Sequence, residues 1–218
     1  LADEILELTG ISMGYSRPGG LELFLTEQEL KKSEGTLLRL QAQQSQFTFE
    51  TLGRNAVRAM IPDIGDEVVG AIYSRTDGHV NPLYLLKGLH AAFQKKGGAL
   101  ISGKTVRKIN TDKLPYEVKT SDTDYFSKKV VLAAGLGNNR LGNSVGLNIP
   151  VKPVRGQIIV TERMPKFYPY AGTRIRQSDE GSVMIGVSRE DVGLDDGTTP
   201  KVMSEISKWA TRTFPKLS

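Results

Sequence analysis

The sequence contains no cysteine among its 218 residues. That excludes disulfides, thiolate catalysis and cysteine-ligated zinc or iron–sulfur centres. It does not fix a compartment, because a disulfide-free protein can reside anywhere. Histidine is nearly as scarce, with only His79 and His90, too few partners for a serine triad or a histidine-rich metal site. His90 falls on a helix flank and reads as structural. No segment reaches the ~20 apolar residues of a membrane span; the longest apolar run, Val130 to Ala134, is strand-sized. There is no P-loop and no G-x-G-x-x-G at a strand–helix junction. Gly135-Leu136-Gly137 is a fragment of that fingerprint, and no helix is expected to start there. No signal-peptide pattern is present, and a start at Leu1 reads as a trimmed or partial chain.

What is present is ordinary for a globular protein: 39% hydrophobic and 24% charged residues. A chain of this length buries roughly 70% of its unfolded surface and needs no staple. The net charge is +5, which raises a nucleic-acid or membrane-surface partner as one reading. The basic pairs Lys31-Lys32, Lys95-Lys96 and Lys128-Lys129 are scattered and not interleaved with aromatics as a base-stacking platform needs. A solvated mixed surface is the better reading, and no nucleic-acid partner is expected.

Strands and helices alternate along the chain. Residues 14–24 read as strand pieces around a turn. Thr26 and Glu29 form a capping box that opens a helix running to about Gln44. A shorter helix covers Leu52 to Met60 and stops before Pro62, and Val68 to Tyr73 reads as a strand. Asn81 and Pro82 suit the N-cap and first position of a helix with Leu85, Leu86, Leu89, Ala92 and Phe93 on one face, ended by Gly97-Gly98. Ala99-Leu100-Ile101 follows as a buried strand. Residues 105–110, 116–120 and 125–127 read as a small antiparallel meander. Val130 to Ala134 reads as a strand buried on both faces. After Pro150, residues 154–161, 174–177 and 182–187 read as longer antiparallel strands, and Thr199-Pro200 opens a last helix with Met203, Ile206, Trp209 and Ala210 inward.

The chemically informative element is the apolar strand ending in Ala133-Ala134-Gly135. Small residues at a strand's carboxyl end let backbone approach a ligand; a plain tight turn is the competing reading. Read in order, Gly78-His79-Val80-Asn81-Pro82, Thr105 to Ile109, Lys129 to Gly135 and Pro150-Val151-Lys152-Pro153-Val154-Arg155-Gly156-Gln157 resemble the D-amino-acid oxidase family of flavoproteins, which includes glycine and sarcosine oxidases. The resemblance covers nearly the whole chain. Gly135-Leu136-Gly137-Asn138-Asn139-Arg140-Leu141 and Arg176 to Gly181, leading to Ile185-Gly186-Val187-Ser188, are similar to the branch holding hydrogen cyanide synthase, opine oxidase and hydroxyproline dehydrogenase subunits.

The resemblance implies an FAD-dependent oxidoreductase acting on a small amine, amino acid or opine by hydride transfer to flavin. It implies a fold of α+β and α/β character, with a large, mostly antiparallel substrate-domain sheet and part of a flavin-binding α/β domain. Residues 1–77 and 145–218 are expected in the substrate domain and 78–144 in the flavin domain. The family's Gly-rich dinucleotide loop and its late Gly-x-Arg-Pro segment have no counterpart here. The chain is therefore expected to be a middle piece that does not retain FAD alone. By the resemblance, Val106 meets the adenine, Ala133, Ala134, Gly135 and Leu136 lie beside the cofactor, and Tyr170 and Arg176 fall near the substrate pocket. The competing reading for the last two is surface strand residues. Arg174 and Arg176 share one strand face with Ile175 opposite, and periodicity does not say which face looks inward. The partners implied are a small amine or amino-acid substrate and a partner protein or respiratory acceptor. The expected location is cytoplasmic, with membrane association where the acceptor is respiratory. The alternative is an isolated substrate domain with no cofactor and no activity of its own.

Overall fold

The computed structural model describes residues 1–44 and 46–218. In chain order its elements are α1 (Ala2–Thr9), β1 (Gly20–Phe24), α2 (Glu27–Gln43), β2 (Glu50–Gly53), α3 (Arg54–Met60), β3 (Gly70–Ser74), α4 (Pro82–Lys95), β4 (Lys108–Asn110), β5 (Tyr116–Lys119), β6 (Asp124–Ser127), α5 (Asn138–Asn143), β7 (Ile158–Arg163), β8 (Ile175–Gln177), β9 (Ser182–Gly186) and α6 (Pro200–Thr213). They divide into two compact units. One holds Leu1–Lys96, Gly156–Arg189 and Asp196–Ser218; the other holds Gly97–Arg155 and Glu190–Asp195. The class is the expected mixture of helices and antiparallel sheet, dispersed over three sheets of three strands, ordered β1-β3-β2, β4-β5-β6 and β7-β9-β8.

Local chemistry sets the first unit's elements. Thr26 Oγ1 accepts from the Glu29 amide at 3.2 Å and donates to the Glu29 carboxylate at 3.1 Å, closing the capping box of α2. Asn81 Oδ1 accepts from the amides of Leu83 (3.1 Å) and Tyr84 (3.3 Å) at the start of α4, with Pro82 next. The turn between β8 and β9 closes through Gly181, whose φ of 100° suits glycine. Alternation puts Leu21 and Leu23 of β1, Ile175 of β8 and Val183 and Ile185 of β9 in one core, with Val57, Ile61, Val68, Tyr168, Ile206, Ala210 and Phe214. The sheets of β1 and β8 approach through a parallel bridge between Gly20 and Ala171, with the Leu21 amide donating to the Ala171 carbonyl at 2.7 Å.

One buried amide organises the segment before β8. Gln177 Nε2 donates to the carbonyls of Met164 (3.2 Å), Pro165 (3.1 Å) and Gly181 (3.0 Å). Its Oε1 accepts from the amides of Phe167 (2.9 Å) and Tyr168 (3.2 Å). Two N–H groups shared over three carbonyls leave no amide lone pair or proton idle. Tyr168, so held, donates its hydroxyl to the Leu21 carbonyl at 2.6 Å and packs edge-on against Phe214. Burial pushes the Tyr168 phenol well above its usual range.

In the second unit, β4, β5 and β6 form the expected meander, in register Ile109↔Val118↔Tyr125. Arg140 donates to the carbonyls of Val106 and Arg107, both at 2.7 Å, tying α5 to the entry of β4. Arg155 pairs side-on with Glu190 and reaches Asp195 at 2.9 Å.

Several expectations are corrected. Ala99-Leu100-Ile101 and Val130 to Ala134 are not strands and not buried: Leu100 is 50% exposed, Ile101 51% and Val131 86%. An apolar run becomes a strand only by pairing, and among the described residues nothing pairs with either run. A helix does start beside Gly135, where a 3-10 turn (Gly135–Gly137) runs into α5. Only one side of α4 is covered, because α1 reaches Leu85 and Ala92 through Ile5 and Leu8; Leu86, Leu89 and Phe93 are exposed. His90 on the same helix is exposed as well. The strands after Pro150 are short rather than long. α1 and β2 were not anticipated.

Replacing Gln177 with Ala would remove five hydrogen bonds to backbone groups, of which the Gly181 carbonyl keeps the Met164 amide, and should cost about 3 kcal/mol. The expected drop in melting temperature is roughly 10 °C, measured by circular dichroism, whereas Gln41→Ala, which removes a single side-chain bond, should shift it far less.

Candidate functional site

The two arginines of the β8 segment leave the sheet on the face opposite Ile175, which is buried, as alternation requires. They do not form one wall. Arg174 lies over the Trp209 ring, 5.6 Å from its centroid, and beside Glu22 of β1. Arg176 turns the other way, and its Nη1 donates to the Val80 carbonyl at 2.6 Å. It lines a cavity of about 140 Å³ with His79, Asn81, Tyr84, Asp179 and Glu180.

Two of the residues that line it each hold a buried, unsatisfied nitrogen. Arg176 Nε and His79 Nδ1 are buried with no hydrogen-bond partner among the described residues. Buried polar atoms without partners are uncommon and ask for an explanation. Burial lowers the Arg176 pKa, opposed by Asp179 and Glu180. Burial first, and then the Arg176 charge, hold His79 below its ordinary value, against smaller upward pulls from Asp179 and the Pro169 carbonyl. Asp179 is engaged by Lys166 at 3.1 Å. Hydrogen bonds from its own backbone, then Ser178 and Tyr84, hold the Glu180 carboxyl low. Nη1 is committed to Val80, while the buried Nε has no hydrogen-bond partner among the described residues.

Tyr170 sits elsewhere. Its ring packs edge-on against Tyr73 and Tyr168, and burial raises its phenol pKa, so the hydroxyl stays protonated and able to donate. It does not line the Arg176 cavity. Val106, Ala133, Ala134, Gly135 and Leu136 belong to the second unit. There the backbone of Ala133 to Leu136 is exposed, and the Ala134 amide donates to Asn138 Oδ1 at 2.9 Å. Gly135 has φ 54° with open space where a Cβ would stand. Such an exposed run of small residues accommodates a flat ligand against the backbone, so it fits the edge of a flavin dinucleotide. The carbonyl of Val106 is occupied by Arg140.

Two residues were not singled out in advance. His79 stood in a quoted motif, but its role was not weighed. Glu22, a lone acid between Leu21 and Leu23, was readable only as a polar break in an apolar strand.

With this geometry in hand, the relatives can be placed. The chain matches the FAD dependent oxidoreductase (DAO) family over residues 1–218. It is a member of that family. It is 35% identical over 220 residues to an opine oxidase subunit of Agrobacterium tumefaciens, covering 100% of this chain and 59% of that protein. It is 31% identical over 182 residues to the hydrogen cyanide synthase subunit HcnC of Pseudomonas protegens, covering 77% of this chain and 42% of that protein. Among solved structures, glycine oxidase from Geobacillus kaustophilus superposes with TM-score 0.89 at 23% identity, over 99% of this chain and 59% of that one, which establishes the shared fold. The chain thus spans about three-fifths or less of the length of these relatives. DAO proteins are flavoproteins, and one neighbour in fold, an L-α-glycerophosphate oxidase from Mycoplasma pneumoniae, carries bound FAD. No helix among the described residues is long and apolar enough to cross a membrane.

The His79 environment makes a testable pH statement. Its native pKa lies below the ordinary 6.5, so the folded state favours the neutral ring. That contribution is fully present above pH ~6.5 and is lost as pH falls through the depressed native value. Urea denaturation at pH 7.5 and 5.5 should show a stability loss on acidification that is smaller in His79→Gln.

Proposed function

We propose that this chain supplies the substrate side, and part of the flavin side, of an FAD-dependent oxidoreductase that oxidises a small amine, amino acid or opine. The reading is carried by the 35% identity to the Agrobacterium opine oxidase protein across the whole chain, and it agrees with an arginine, Arg176, in the lining of a small cavity. In this reading residues 1–77 and 145–218 form the substrate side and 78–144 the flavin side. When bound, FAD supplies the acceptor for the hydride leaving the carbon next to the substrate nitrogen.

The chain's own residues do the orienting. Arg176 receives the substrate carboxylate, while Nη1 stays on Val80. Tyr170, kept as a neutral phenol, offers a donor. Ala133, Ala134, Gly135 and Leu136 give the cofactor a flat edge of backbone, and Val106 meets its adenine end. The opine oxidase and HcnC relatives are each named as one subunit of a larger enzyme, which supports a partner protein that takes the electrons onward. A second reading, a substrate-side module with no activity alone, draws on the unpaired runs at 99–101 and 130–134. Stoichiometric flavin in the purified 218-residue chain would overturn the second reading; a colourless chain is expected of both, and flavin binding by the full-length protein then separates them.

The direct test is anaerobic mixing of the FAD-loaded full-length protein, in which the variants below are also made, with amino acids, secondary amines and opines. Bleaching of the flavin band by a carboxylate-bearing amine is expected; no bleaching across the panel overturns the proposal. Arg176→Ala should raise KM about 30-fold, from about 2 kcal/mol of lost charged hydrogen bonding. Ala134→Leu should lower bound FAD while leaving the melting temperature unchanged; equal flavin content would return Ala134 to the role of a plain turn.

A further inference from the structure

A second cleft in the first unit has a lining unlike that of the Arg176 cavity. It encloses about 320 Å³ beside β1 and β3, and Glu22, Ser74, Asp77, Phe47, Phe49 and Ile72 line it. No lysine or arginine is among its lining residues. Two carboxylates therefore face a cleft that contains no cation of the chain's own.

Neither carboxylate has a hydrogen bond or ion pair among the described residues. Burial raises the Glu22 pKa, and the attraction of Arg174 only partly opposes it. Arg174 belongs to a neighbouring hollow that Glu22 also borders, together with Lys32, so Glu22 stands between a side that holds cations and a side that holds none. Asp77 reaches the cleft because Gly20 has no side chain; a Cβ there would collide with the Asp77 carboxylate. The arrangement thus depends on a glycine in β1.

The remaining walls identify the ligand class. Phe47 and Phe49 stand with ring centroids 6.1 Å apart, tilted by 32°, and Ile72 and Leu37 add apolar surface. A hard metal ion seeks six or more oxygens, which two carboxylates and the Ser74 hydroxyl do not approach. An organic cation uses both wall types, pairing its charge with carboxylate and resting on aromatic faces. The volume is at the small end of ligand pockets and suits one charged group on a short stem.

We propose that this cleft binds an organic cation, an ammonium or guanidinium group carried on an apolar stem. The proposal is independent of flavin chemistry, because every lining residue lies within the first unit.

The test is isothermal titration of the 218-residue chain at low ionic strength with n-butylammonium and n-butylguanidinium, against n-butanol and butyrate. Saturable binding of at least one cation is expected, weakened by salt, with no comparable binding of the alcohol or the acid. Glu22→Gln, which preserves shape, should weaken the cation roughly tenfold, and Asp77→Asn should act in the same direction. Melting curves check that each variant is folded; should Glu22→Gln fail to fold, Asp77→Asn decides. Absence of saturable cation binding, equal binding of butyrate, or unchanged affinity in the folded variants overturns the proposal. Since no turnover is measured, either result leaves the oxidoreductase reading to its own test.

Discussion

The side-chain amide of Gln177 meets five backbone groups from two stretches of chain, and much of the first unit's arrangement passes through it. The segment from Met164 to Tyr168 has no regular structure of its own. Its amides and carbonyls would be stranded inside the protein without a partner that both donates and accepts. A glutamine has the right number of both. Once the segment is fixed, Phe167 and Tyr168 meet Phe214 beyond the end of α6, and the Tyr168 hydroxyl reaches the Leu21 carbonyl of β1. Sequence-distant pieces then share one core, and the bridge from Gly20 to Ala171 follows at its edge.

Where a residue's local chemistry decides the outcome, the sequence was readable. Thr26 with Glu29 and Asn81 with Pro82 each satisfy backbone groups within a few residues, so the elements beside them appear where expected. The alternation around Ile175 was also readable, and the structure selects which face goes inward. Where a partner distant in sequence decides, the reading failed. Val130 to Ala134 has the composition of a central strand, but a central strand needs neighbours on both sides, and none pairs with it among the described residues. Leu86, Leu89 and Phe93 have the spacing of an inward face, yet α1 is eight residues long and covers only part of it.

The site shows the same division at the level of side chains. Period-two alternation correctly puts Arg174 and Arg176 on one face. It cannot say that one guanidinium lies over Trp209 while the other bonds to Val80, because long side chains turn toward whatever lies within reach. Nor does it reveal that His79, from a loop nearly a hundred residues earlier, faces Arg176. Family resemblance named Arg176 and Tyr170 together, and the fold separates them into different surroundings.

The first unit thus treats its buried polar groups in two ways. At Gln177 every donor and acceptor is satisfied, and the surrounding chain is fixed by it. At His79 and Arg176, buried nitrogens have no partner among the described residues, and at Glu22 a half-buried carboxylate has none. A fold able to satisfy a glutamine five times over is not short of backbone groups to offer. Incomplete satisfaction in the same unit is therefore better explained by what those atoms must remain free to bind than by poor packing. The signs agree with the two proposals: a spare donor at Arg176 matches an anion and a spare acceptor at Glu22 matches a cation.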